Sequence, residues 1–405
     1  MESVDLLITH ANELLTLRGP RKPRTQAQMK RLGIITNGSI AIKNGQIVDV
    51  GRSLRYKAKN VIDASGKLVM PGFIDPHTHV VFAGSREFEL DLKLAGVPYL
   101  EILKRGGGIF SSVKETRKAS TSRLMKESRK RLQTMLTYGT TTCEAKTGYG
   151  LDVQTEVKLL QVQNKLQQTQ PMDIVSTFLG AHAIPPGQQP SEYVNTVITE
   201  MLPKTKGLAR FCDVFCEKGV FTISQSRKIL LAAKHYGLQP KLHADEIVQT
   251  GGAALAAEVG AISADHLLRS SDAGLQAMAQ NNVTGVLLPG TPFCLMMEQY
   301  AAARKMIDLG VPVALATDLN PNCWTENMQF IIQLACLKMQ MSPAEAISAA
   351  TFNAACAIGI QQSVGSLEKG KKADVLIMDC PNHLFLPYHF GVNLVETVIK
   401  NGQIL

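Results

Sequence analysis

Nine histidines stand in this 405-residue chain, and five of them, His77, His79, His182, His243 and His266, fall at or just past the end of a short β-branched run. Imidazole is a common metal ligand and the side chain that titrates nearest neutrality, so this placement asks for a metal or proton-transfer site. His77-Thr78-His79 is an HxH pair, and on a strand residues two apart share a face, so both rings can converge on one ion. Alone, the pair reads equally well as satisfied polar residues at a strand end. Its position after PGFIDP, closing the first of a series of strands, tips the reading towards metal. His243 could supply a third ligand. Glu246, three residues later, suits a proton shuttle that takes a proton from water and returns it to a leaving nitrogen. An acid in the first turn of the following helix, favoured by the dipole, is a compatible reading. Asp318, in ALATDLNPN, can ligate a metal and orient the attacking water, or cap a helix. His266, after SAD, fits a hydrogen-bond donor to water or oxyanion better than a fourth imidazole ligand. Two or three His with one carboxylate and an open position make a catalytic rather than a structural metal site, suited to Zn²⁺ or Fe²⁺.

Those residues need a frame that brings strand ends together. Short β-branched runs at 71–79, 140–145, 174–182, 212–216, 240–244, 261–266, 283–288 and 311–317 alternate with amphipathic stretches such as 120–137 and 327–340. Eight strands alternating with helices predict parallel pairing closed into a (β/α)8 TIM-like barrel, whose C-terminal rim carries the active site. A doubly wound open sheet is the alternative, weakened by the absence of GxGxxG after the first strand. IKNGQI occurs at 42–47 and again at 399–404, and Asn-Gly between β-branched residues predicts a hairpin each time. Asn37-Gly38 predicts another. The termini therefore combine in a small β-sandwich domain, 1–68 with 366–405, around a catalytic barrel spanning 69–365.

Composition narrows the class. At 45% hydrophobic and 19% charged, the chain can bury a large core. No apolar run reaches membrane-span length and the start lacks a basic-then-apolar leader, so a soluble cytoplasmic protein is expected. Eight scattered cysteines without a CxxC pair read as free buried thiols. The net charge of +9 gathers at the start, where residues 1–60 hold eleven Lys/Arg against four Asp/Glu. The cluster at 18–31 lacks interleaved aromatics and reads as a solvated basic loop rather than a nucleic-acid or membrane surface, although such a field can steer a small anionic substrate.

PGFIDPHTH, GSLEKGKKADVLIMD at 365–379 and the Thr317-Asp318 pair resemble the amidohydrolase superfamily. PHTHVVFAGSREFELDLKLAGVPYLEILKRGGGI, TGYGLDVQTEVKLL, FLGAHAIP, HADEI, SADHL, DLNP and YHFGVN are similar to the branch of that superfamily acting in histidine degradation, over essentially the whole chain. The resemblance implies hydrolysis of 4-imidazolone-5-propanoate to N-formimidoyl-L-glutamate with one Zn²⁺ or Fe²⁺/Fe³⁺ per chain. It implies His77, His79, His243 and Asp318 as metal ligands, Glu246 as acid/base, and His266 holding water or oxyanion. It places Arg86 and Tyr149 on the propanoate with Tyr99 nearby, and His182 and Asn320 on the ring or the carboxylate formed from it. After DLNP the chain departs from the family pattern: Asn322 and Cys323 stand where Gly and a small hydroxyl residue are usual, so both are carried as substrate-binding through backbone rather than side chain. A guanidinium fork and a phenol suit a carboxylate. Gly148 and Gly150 suit tight turns, and Gly106-Gly107-Gly108 a flexible rim loop. A homodimer is common among such relatives. Two other readings are weighed: a cytosine- or guanine-type deaminase, for which Arg86 would have no carboxylate to bind, and a silent scaffold, which the complete ligand set disfavours.

Overall fold

The computed structural model describes residues 2–97 and 99–405, with the side chains of Tyr99, Leu100 and Leu103 outside the description. Sixteen strands follow one another: β1 (Ser3–Leu15), β2 (Ile34–Lys43), β3 (Gln46–Arg52), β4 (Lys57–Asp63), β5 (Leu68–Pro71), β6 (Phe73–Asp75), β7 (Thr140–Lys146), β8 (Asp173–Ala181), β9 (Phe211–Cys216), β10 (Gln239–Ala244), β11 (Ser263–His266), β12 (Thr284–Leu287), β13 (Val313–Leu315), β14 (Val375–Met378), β15 (Val395–Lys400) and β16 (Gln403–Ile404). Strands β6 to β13 pair in chain order, all parallel, as the sequence predicts for a barrel. Seven ladders join them. The eighth junction is a short zip, in which Asp318 N–H donates to His77 carbonyl at 3.1 Å and His79 N–H to Leu319 carbonyl at 2.8 Å around the bridged pair Thr78 and Leu319. Asp75 tightens this seam from below by accepting from the Thr317 N–H at 3.1 Å and the Thr317 hydroxyl.

The helices start where local chemistry satisfies their orphan N–H groups. Ser120 caps Thr121–Thr137 and Asn327 caps Met328–Met339, each accepting from the residue three positions on. Both termini build the second sheet, ordered β16-β15-β14-β5-β1-β2-β3, with β4 on β1. The long β1 pairs with β4 through residues 3–9 and with β5 through 13–14, and bulges between Ile8 and Ala11. This sheet wraps a cluster that includes Ile8, Leu14, Ile40, Ile42, Val375 and Ile399. The two IKNGQI segments form the β2–β3 and β15–β16 turns. Asn44, Gly45, Asn401 and Gly402 all have φ near +50° to +75°, the conformation that selects Asn-Gly. The turns pack on each other, since a Cβ on Gly45 would lie 2.9 Å from the Asn401 carbonyl oxygen.

Three expectations change. Asn37-Gly38 is not a hairpin turn but lies inside β2. Asn37 spends its tolerance of positive φ on a kink, and Gly38 lets Leu14 lie directly on the backbone. The segment 18–31 is not wholly solvated. Arg24 is buried, its guanidinium donating to the carbonyls of Leu17, Arg18 and Arg31 while its backbone N–H donates to the Asn353 side chain. The Gly106–Gly108 loop is tied down, because the Gly108 N–H donates to Glu89 at 2.7 Å. All eight cysteines are free, six of them buried, and among the described residues no helix is long and apolar enough to cross a membrane.

Candidate active site

The cavity at the C-terminal rim holds about 620 Å³. Its floor is made by residues that leave the strand ends. The rings of His77, His79 and His243 lie with centroids 4.6 to 5.9 Å apart. One donor atom from each falls within 4.8 Å of the others, and the same holds for His77, His266 and Asp318. Every Nδ1 of the first three has an acceptor: Asp265 for His77 at 2.6 Å, the Thr147 carbonyl for His79 at 3.2 Å, and Asp213 for His243 at 3.1 Å. Holding the proton on Nδ1 leaves the Nε2 lone pairs to converge, the outer arrangement metal-binding histidines require. His77 Nε2 is buried without a hydrogen-bond partner, 3.4 Å from Asp318 Oδ1. Thr291 donates to the other Asp318 oxygen at 2.6 Å and so aims Oδ1 at the imidazoles. An orphaned buried lone pair among three tautomer-fixed imidazoles and a steered carboxylate fits a divalent metal.

Electrostatics agree. Burial holds the His77, His79 and His266 pKa values well below the usual histidine range, so these rings are neutral. Burial acts the same way on His243, but the Asp213 carboxylate outweighs it and raises that pKa. Beneath the rings lies a layer the sequence reading did not anticipate. Lys146 contacts Asp213 at 2.7 Å, Glu144 at 3.1 Å and Asp265 at 3.3 Å, and Lys241 contacts Glu144 at 2.8 Å, with all five side chains inaccessible to solvent. Lys146 therefore acts through Asp213 and Asp265, the carboxylates that grip His243 and His77, while Lys241 holds Glu144 against it.

Glu246 stands beside this cluster, its Oε2 3.6 Å from His266 Nε2. Burial, reinforced by the Asp318 charge, pushes its pKa up to about 8. It is not in the first turn of a helix; that helix begins at Gly252. Asp245 anchors the intervening loop, accepting from the N–H groups of Thr250, Gly251, Gly252 and Ala253 and from the Ser270 hydroxyl. Asp318 caps no helix either, since the next one is capped by Asn327. Asp245, His266, Leu267 and Asp318 all have φ between +50° and +75°, a left-handed conformation that costs non-glycine residues about 1–3 kcal/mol each. The strand ends are bent sharply to aim these side chains at one point.

On the rim, Tyr149 meets His79 and His182 edge-on at 5.5 and 5.4 Å, and His182 stacks on His79 at 5.0 Å. The His182 Nδ1 is tied to the Gly148 carbonyl at 3.0 Å. Gly148 has φ +102°, and a Cβ there would come within 2.7 Å of His182. Glu156 holds this loop through the N–H groups of Gly148, Gly150 and Leu151. Arg86 lines the cavity but is not free: Nε and Nη2 donate to both oxygens of Glu89 at 2.6 and 2.7 Å. Its Nη1 has no protein partner among the described residues. Asn320 and Asn322 also line the cavity. The Asn320 amide shapes its own loop, accepting from the Asn322 and Cys323 N–H groups and donating to the Asp318 carbonyl. The Cys323 thiol is 1% exposed, behind the cavity wall, 3.7 Å from the Thr317 carbonyl. Burial and the neighbouring Cys294 raise its pKa well above the ordinary thiol range, which disqualifies it as a nucleophile. Trp324, next along the altered loop, rests edge-on against Phe82 at 5.1 Å. Tyr99 falls in the helix Tyr99–Lys104, and its side chain lies outside the described residues.

Known proteins match this geometry. The sequence model of the amidohydrolase family matches residues 68–405. An imidazolonepropionase of Alkaliphilus oremlandii is 52% identical, covering 100% of this chain and 98% of that protein. One from Geobacillus kaustophilus is 54% identical, covering 99% and 97%. Among solved structures, an adenosine deaminase from Xanthomonas campestris with bound zinc superimposes with a TM-score of 0.76 at 18% identity, covering 100% of this chain and 93% of that one. An atrazine chlorohydrolase from Arthrobacter aurescens complexed with zinc gives 0.70 at 15%, covering 99% and 95%. The structural likenesses establish the barrel with its appended sheet, and the sequence matches place this chain in the amidohydrolase family.

Proposed function

We propose that this protein hydrolyses 4-imidazolone-5-propanoate to N-formimidoyl-L-glutamate, a reading supported by its full-length likeness to relatives named imidazolonepropionase. The observation that carries the reading is one cavity in which a guanidinium edge, a buried phenol and an imidazole stand beside the His77–His79–His243–Asp318 cluster. Arg86 Nη1 and the Tyr149 hydroxyl receive the propanoate, and His182 receives the ring. His77, His79, His243 and Asp318 would hold one Zn²⁺ or Fe²⁺. When bound, the ion supplies a Lewis acid that polarises the ring carbonyl and acidifies water.

The chain's own groups manage the protons. The Glu246 carboxylate accepts a proton as the water oxygen adds to the ring carbonyl carbon. Its pKa, pushed up to about 8, lies near neutrality, where one carboxyl group can both take a proton and give it back. His266 donates an N–H towards the oxygen that becomes negative. Glu246 then returns its proton to the ring nitrogen as the carbon–nitrogen bond breaks. The carbonyl carbon becomes the new carboxylate, and the freed nitrogen stays on the formimidoyl group.

The test is loss of the substrate's ultraviolet absorbance with purified enzyme, with metal measured in parallel. Turnover at one metal per chain, with Glu246→Gln reducing kcat by about 10²- to 10⁴-fold while keeping its metal, is the expected result. Metal-loaded wild-type protein that leaves this substrate intact but deaminates an uncharged ring would overturn the reading.

A further inference from the structure

Two cations, not one, line the substrate end of the cavity. Lys93 was not among the residues singled out by spacing, yet its side chain borders the same space as Arg86. It sits one helical turn after Glu89, with Nζ 3.8 Å from Glu89 Oε2 and 2.8 Å from Asn322 Oδ1. Glu89, 1% exposed, therefore lies between the two cations and neutralises one of them. The trio keeps one net positive charge. The ammonium carries three N–H donors, and its shortest partner is a neutral amide oxygen. A carboxylate is a better acceptor, because charge on both sides makes the hydrogen bond roughly twice as strong. The lateral edge of Arg86 is consumed by Glu89 in the same way, leaving Nη1 for an incoming group.

We propose that Lys93 is the second cation of the carboxylate subsite, exchanging its Asn322 contact for the substrate's propanoate, which is then held between Lys93 Nζ and Arg86 Nη1. This rests on the reading that the substrate carries a propanoate. Because Lys93 is released from the loop that follows Asp318, binding the carboxylate also frees the Asn322 amide beside the reacting ring.

Calorimetry with two stable probes separates this role from a structural one. Imidazole-4-propanoate carries the carboxylate and 4-ethylimidazole lacks it, and neither needs turnover. In Lys93→Met the carboxylate probe should bind about tenfold or more weakly, with 4-ethylimidazole unchanged within twofold. Lys93→Arg should recover most of the loss. Equal weakening of both probes, or no weakening of either, would overturn the proposal. Wild-type protein that binds the two probes equally would remove the carboxylate subsite itself, and with it the substrate reading rather than the part played by Lys93.

Discussion

On the floor of the cavity, Lys146 and Lys241 are sealed from water and paired with buried carboxylates, whereas on the rim Arg86 and Lys93 keep donors turned to open space. Both regions set cationic side chains against acidic ones at similar distances. The difference is what the pairs are for. Floor carboxylates pass their order upward, fixing the Nδ1 protons of His77 and His243, and they have no way to exchange partners. Rim pairs are half-satisfied, with Asn322 and Glu89 holding places that a ligand carboxylate can share. Preorganised chemistry needs the first arrangement, and selective capture of a charged substrate needs the second.

Substitutions can break or sharpen that contrast. Removing one partner of a buried ion network leaves an uncompensated charge, so Lys146→Met should cost about 3–5 kcal/mol, read as a large fall in the thermal midpoint. Adding Glu144→Gln to restore the charge balance should recover part of it. A loss as small as that of a surface lysine would show that the floor is not an integrated network. Next in size is the rim: Arg86→Met should raise KM for the imidazolone substrate by about 30- to 100-fold, the worth of charge-assisted bonds to a carboxylate, with a smaller fall in midpoint than Lys146→Met. If KM holds and the fold loosens instead, Arg86 is as structural as the floor and the contrast fails. The smallest effect belongs to Thr291, which touches the site through one hydrogen bond. Thr291→Val should weaken metal affinity by about tenfold, measured by chelator competition, with KM nearly unchanged.

The barrel was legible because eight β-branched runs, each near an observed strand, alternate with capped helices. The HxH pair was legible because a two-residue period needs no tertiary knowledge. The floor was not, although a signal exists. Glu144 and Lys146 share one face of β7, and Lys241 shares a face of β10 with His243. Strands buried on both faces have no water to solvate such charges, so they can only be there to satisfy one another. Which charge meets which depends on pairing between β7, β9, β10 and β11, and single-chain spacing does not carry that. Glu89 was hidden for a different reason: in EFELDLKL it looks like any solvent-facing helix acid, and only the fold turns it under Arg86. Asn37-Gly38 misled because the left-handed backbone that serves a turn serves a kink equally well.

The seam between β6 and β13 has an engineering consequence. A cylinder closed by seven full ladders and one short zip has a line along which it is cheapest to unroll, and the zip is made by the very residues that bear His77, His79 and Asp318. Anyone permuting the chain, splitting it into complementing halves or grafting a domain into it should cut elsewhere. A cut there disables the enzyme even when both pieces reassemble.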